Sequence, residues 1–155
     1  MALPFPATSP TVDRIAVERR VIELSRRSIK KDAKRQGIEL AVSMMDLTTL
    51  AGADTPGKVE RLCARAKHPL ADGPDDLHTA AVCVYPPFVE LAKRRLEGSG
   101  VNVAAVATYF PSGQAALPHR LDEVRAAVEA GADEIDMVID RGRFLRGEHR
   151  FTYDE

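Results

Sequence analysis

Tryptophan does not occur in the 155 residues, and aromatic side chains make up only 5% of them. That leaves too few rings for the stacking platform that single-stranded nucleic acids use. The two cysteines, Cys63 and Cys83, are too few for a disulfide framework and lack metal-motif spacing, so reduced thiols are expected. The four histidines, His68, His78, His119 and His149, form no HxxxH or HxH pair; no metal centre is expected. No apolar run approaches the ~20 residues that span a bilayer, and no signal-peptide core is present, so a soluble cytoplasmic chain is expected. A dinucleotide fold has no support, because no GxGxxG follows the first predicted strand. A formal net charge of −1 gives no global attraction for a polyanion.

Hydrophobic residues at 45% and charged residues at 29% suit one soluble globular domain. The near-neutral total hides an asymmetry. Residues 1–37 hold nine Lys/Arg against four Asp/Glu, or +5, and the remainder thirteen against nineteen, or −6. A solvated basic helix is the first reading of that segment, with a nucleic-acid or membrane-surface arm as the lesser one. Its four acids argue against a transit peptide.

Along the chain, MALPFPATSP is proline-rich. From Thr11 to about Lys34, the residues Val12, Ile15, Ile22 and Ile29 fit a loose helical face, and a shorter helix is expected over Ile38 to Ser43. AVSMMDLTTL reads as a strand ending near Asp46–Thr48. Asp54 or Thr55 then caps a helix with Pro56 in its first turn, and Val59, Leu62, Cys63 and Ala66 form its inner face. TAAVCVYP is a second strand. The following helix carries Phe88, Leu91, Ala92 and Leu96 on one face and stops at glycine. VNVAAVATYF is a third strand, and a helix with Leu117, Leu121, Val124 and Val128 inward follows it. ADEIDMVID is a fourth. Alternating strands and helices imply parallel βαβ units.

Alternation along each strand sorts its side chains. Asp46 and Thr48 share a face, as do Thr108 and Phe110, and Glu134 and Asp136. Met45, Leu47, Ile135, Met137 and Ile139 form the apolar, helix-facing set. Polar groups thus converge near the strands' C-terminal ends, as in a β/α barrel whose inner face carries the chemistry. Asp136 stands out, because a carboxylate in a strand core is costly unless paired. A structural acid bound to a lysine or backbone amide is the plainer alternative. Asp46 with Thr48 equally fits a cap after the strand, and Cys83 a small core residue.

The runs MDLTTLAGADTPGKVERLCARAKHP, TAAVCVYPPF, ATYFPSGQ and LDEVRAAVEAGADEIDMVI, in order over residues 44–147, closely resemble the deoxyribose-phosphate aldolase family. The resemblance implies a (β/α)8 TIM barrel. This chain would cover an N-terminal helical extension (1–40) and about the first four β/α units (41–155). It implies a cofactor-free class I aldolase that cleaves 2-deoxy-D-ribose 5-phosphate to acetaldehyde and D-glyceraldehyde 3-phosphate through a lysine Schiff base. Carried over by motif, Asp136 would be the acid/base, and Asp46, Thr48 and Cys83 would line the substrate pocket.

The six lysines, Lys30, Lys31, Lys34, Lys58, Lys67 and Lys93, fall at no predicted strand end. The Schiff-base lysine is therefore expected elsewhere, and this chain alone is expected to be inactive. A longer parent protein, a complementary C-terminal half and homo-oligomerisation are the expected ways to complete the barrel. A non-catalytic half-barrel that docks on a barrel partner is the alternative. A membrane partner is not expected, nor is nucleic acid.

Overall fold

The computed structural model describes residues 11–155, and the backbone divides into two compact units, Met1–Ile38 and Glu39–Glu155. In the first, helix α1 (Arg14–Ser25) starts where the Asp13 carboxylate accepts a 3.0 Å hydrogen bond from Ala16 N, satisfying one of the free amides of the first turn. None of its residues is buried. The single helix expected to about Lys34 is interrupted: α1 stops at Ser25 and α2 runs from Lys31 to Ser43. Lys31, at the start of α2, adopts a left-handed φ of 53°. α2 takes in the short helix expected over Ile38 to Ser43, so Ala41–Ser43, also read as the start of the first strand, are helical.

The second unit alternates strands and helices, in the order β1 (Asp46–Thr48), α3 (Pro56–Lys67), β2 (Ala81–Val84), α4 (Val89–Leu96), β3 (Asn102–Ala107), α5 (Leu117–Glu129), β4 (Glu134–Met137), α6 (Arg141–Leu145) and α7 (His149–Asp154). The four strands form one sheet in sequence order, every neighbouring pair parallel. Local chemistry sets the helix ends. Thr55 caps α3, its hydroxyl accepting from Lys58 N at 3.3 Å with Pro56 next, and α4 gives way to Gly98 at φ +70°.

One face of the sheet packs on the helices. Val82, Val84, Val103 and Ala105 meet Val59, Cys63 and Ala66 of α3, Val89, Ala92 and Leu96 of α4, and Ala127 of α5. Burying each valine contributes about 1.5–3 kcal/mol. Leu47 and Ile135 extend this layer to the two edge strands. Met137 and Ile139, expected to face helices, are 55% and 39% exposed, because β4 ends at Met137 and has a neighbouring strand on one side only.

α5 is turned from its expected setting. Leu117, Leu121 and Val128 are exposed, while Arg120 and Ala127 are buried. Three things hold that rotation. Arg120 pairs with Glu155 at 2.8 Å, the Glu123 carboxylate accepts from Tyr109 N at 2.6 Å, and Ala127 lets the helix approach the sheet closely.

The connection from β3 to α5 is tightly built. Thr108 and Tyr109 both have φ 62°, a left-handed conformation that costs a non-glycine residue roughly 1–2 kcal/mol. The strand alternation expected to carry Thr108 and Phe110 onto one face therefore ends at Ala107. Further on, Gly113 has φ +69°, and a Cβ there would collide with the Ile139 carbonyl oxygen. Gly113→Ala should therefore destabilise the chain by at least about 2 kcal/mol in chemical denaturation. Gly52→Ala, with nothing within 4 Å, should leave the midpoint nearly unchanged. Equal midpoints for the two variants would contradict this account of the loop.

Candidate active site

Parallel register decides which side chains meet on the sheet's other face. Thr48, Cys83, Ala104 and Glu134 lie in one row across the four strands, Asp46 aligns with Ala81 and Asn102, and Val106 aligns with Asp136. The Cys83 thiol donates to Asp136 Oδ2 at 3.2 Å, although the two residues sit on strands separated by β3. Ala104, fully buried between them in the sheet, presents only a methyl group, so the contact is not blocked. Neither a lysine nor a backbone amide but a thiol thus partners the acid singled out from the sequence.

Burial separates these groups. Cys83 is 2% exposed, whereas Asp46, Thr48, Glu134 and Asp136 are exposed. The thiol is pushed up to about 12, first by burial, then by its hydrogen bond to Asp136 and by the Asp136 and Asp46 charges; a hydrogen bond with Thr48 works the other way. Cys83 therefore remains a neutral donor at physiological pH. Asp46 is raised above the ordinary carboxylate range by burial and then by the Glu134 and Asp136 charges. The acids sense one another across the sheet, which marks this face as electrostatically coupled. Asn102 moderates one of them, donating to Glu134 Oε1 at 2.8 Å.

The supporting residues lie at the strands' C-terminal ends. After β1, the Thr49 hydroxyl, Ala51 N and Lys58 Nζ all donate to the Asp54 carboxylate. Lys58 holds that carboxyl below its usual range. Thr49 N donates to Cys83 O at 3.1 Å, tying this loop to β2. Leu50, Tyr85 and Phe110 pack around Ala81, Cys83, Ala104 and Val106, with the Tyr85 and Phe110 rings edge to face at 6.1 Å. After β3, the Thr108 hydroxyl contacts Val138 N at 2.7 Å and Val138 O at 2.8 Å.

Asp46, Thr48, Cys83 and Asp136 thus share one face, and the closest contact among them is between Cys83 and Asp136. Asp54 was expected only as a possible helix cap, Thr108 only as one of the converging polar groups, and Lys58 was given no role from the sequence. The capping choice between Asp54 and Thr55 hinted at the loop, but left-handed φ at a threonine has no sequence signature. A cavity of 660 Å³ lined by Gln114, Leu117, Asp140, Arg143, Phe151 and Glu155 includes none of the four. That hollow is separate from the sheet face that carries them. Among the described residues, no three His, Cys, Asp or Glu side chains gather as metal ligands. Among the same residues, no helix is long and apolar enough to cross a membrane.

A folded-state pKa raised by desolvation and neighbouring charges disfavours folding once the carboxyl ionises. The cost is present above the folded value and vanishes below the unfolded one. Asp46→Asn should therefore stabilise the chain at pH 7, and the gain should fade as pH falls through the folded value and be gone below about 4. Urea midpoints across that range test the sign; a variant less stable at pH 7 would contradict it.

A family model for DeoC/LacD family aldolases matches residues 40–147. Deoxyribose-phosphate aldolase of Mus musculus is 46% identical over an alignment taking in 93% of this chain and 49% of the relative. The Homo sapiens protein of that name is 43% identical over the same shares. The chain spans about half the length of these curated relatives. Among solved structures, a Coccidioides immitis protein described as a deoxyribose-phosphate aldolase superposes with a TM-score of 0.63 at 30% identity, over 74% of this chain and 41% of its own. The Aeropyrum pernix deoxyribose-phosphate aldolase, described as tetrameric, gives 0.57 at 26% identity over 75% and 49%. These neighbours and the four-stranded parallel sheet make the fold part of a TIM-type barrel. With the family model covering more than half of its residues, the chain belongs to the DeoC/LacD aldolase family.

Proposed function

We propose that this chain contributes the proton-relay side of a cytoplasmic deoxyribose-phosphate aldolase site. On this reading residues 41–155 are part of the barrel and residues 1–40 a helical extension. The observation that carries the reading is the Asp136 carboxylate, exposed on the inner face of β4 and 3.2 Å from the neutral Cys83 thiol. Relatives 43–46% identical carry that enzyme's name, which favours an enzyme over a docking module.

The reaction sets the roles. A lysine amine condenses with the sugar aldehyde and releases water. The substrate hydroxyl then loses its proton, the adjacent carbon–carbon bond breaks, and the electron pair flows into the iminium to give an enamine and glyceraldehyde 3-phosphate. The enamine carbon must next gain a proton, and hydrolysis frees acetaldehyde. Asp136 is placed to move that proton through water, as a general acid/base. Cys83 donates to the carboxylate and, being neutral, brings no charge of its own. Asp46 and Thr48 flank the substrate.

None of the six lysines lies on a strand. Lys58 is engaged with Asp54, Lys93 with Asp133 and Lys67 with Arg95 O. The imine-forming amine comes from residues other than these, so the chain alone should not turn over substrate. Joined to the second half of the Mus musculus relative, it should cleave 2-deoxy-D-ribose 5-phosphate. Asp136→Asn in that assembly should lower turnover by roughly 10²–10⁴-fold. Unchanged turnover in a coupled assay for glyceraldehyde 3-phosphate would remove Asp136 from the mechanism.

A further inference from the structure

The last paired residues of β3 and β4 are Ala107 and Met137. One residue on, the backbone ladder cannot continue, because Thr108 turns left-handed at φ 62°. Val138 nevertheless keeps its main-chain N–H partnered, donating to Thr108 Oγ1 at 2.7 Å. The hydroxyl's own proton faces two carbonyl acceptors, Ala107 O at 2.6 Å and Val138 O at 2.8 Å. A threonine side chain, 6% exposed, thus takes the place of the missing strand. It does so two residues beyond Asp136, on the segment that aims that carboxylate.

A β-branched residue in the left-handed region is a true outlier, and here it does not stand alone. Tyr109 follows with the same φ, its amide held by Glu123, and Gly113 presses on Ile139 O. The connection therefore grips the segment 138–139 from both of its ends. Strain of this kind persists only where the surroundings enforce it, and what it enforces here is the course of β4 just past Asp136.

We infer that Thr108 is a positioning residue for Asp136. Its hydroxyl replaces the β3–β4 ladder at Val138 and so holds the Asp136 carboxylate within reach of the Cys83 thiol. This rests on the reading of Asp136 as the proton-relay acid, and no role for Thr108 follows from that reading alone.

The test reads the Cys83–Asp136 contact directly, so it does not depend on turnover. In a Cys63→Ala background only one thiol remains, and its infrared S–H stretch falls in a window clear of other protein bands. Asp136→Leu, which removes the acceptor, should shift that band to higher frequency. Thr108→Val, which keeps the shape and removes the hydroxyl, should shift it in the same direction, and Thr108→Ser should restore the unaltered position. A band unmoved in Thr108→Val, or moved equally in Thr108→Ser, would overturn the inference. Amide hydrogen exchange in the unaltered chain gives a second reading should Thr108→Val fail to fold. Val138 should be protected as strongly as Met137 and lose at least about tenfold of that protection in Thr108→Ala. Val138 exchanging like an open loop would overturn the inference. A proton-relay reading that fails on turnover would leave these band shifts in place, so the two failures are distinct.

Discussion

Parallel pairing in register is the constraint from which the rest follows. It forces each strand to be joined to the next by a helix on the same side, so all four strands end at the same edge of the sheet. It also fixes alternate residues to opposite faces. Valines and alanines at every second position meet the helices, while Asp46, Thr48, Cys83, Glu134 and Asp136 are carried together on the other face. A slip of one residue in β4 would send both acids into the apolar layer. Burying two carboxylates against Val103 and Ala105 would cost far more than any local gain. The register that protects the core is the same one that assembles the site.

Within that frame the site is built from unequal partners. Cys83 is buried and neutral, and Asp136 is exposed and accepts its hydrogen bond. Desolvation first, and then the Glu134 and Asp136 charges, raise the pKa of Asp46. A cation brought onto this face would meet three carboxylates, a setting that stabilises positive charge.

Much of this was legible in the sequence, for reasons that can be named. The continuous apolar run AVCV and the alternation in EIDM follow directly from a strand covered on one or both faces, and Thr55–Pro56 and Gly98 mark helix ends by their own backbone preferences. Strand alternation set Asp46, Thr48 and Asp136 on converging faces, and the register carries them with Cys83 on one side of the sheet. What escaped reading depends on tertiary context. The α5 face was misjudged because Leu117, Leu121 and Val128 make a good apolar stripe, while Arg120 turns inward to a carboxylate 35 residues away. The break between the first two helices falls after Ser25, not after Lys34 as expected. The left-handed Thr108 was unreadable, because nothing in ATYF distinguishes it from a continuing strand.

The most direct measurement follows the proton itself. With the chain joined to the second half of a relative, hydrogen–deuterium exchange at the methyl group of acetaldehyde can be followed by NMR in heavy water, beside borohydride trapping of the imine. If Asp136 relays the proton, Asp136→Asn should still be trapped by borohydride while exchange at the methyl group all but stops. Exchange that continues at the unaltered rate in that variant would contradict the account.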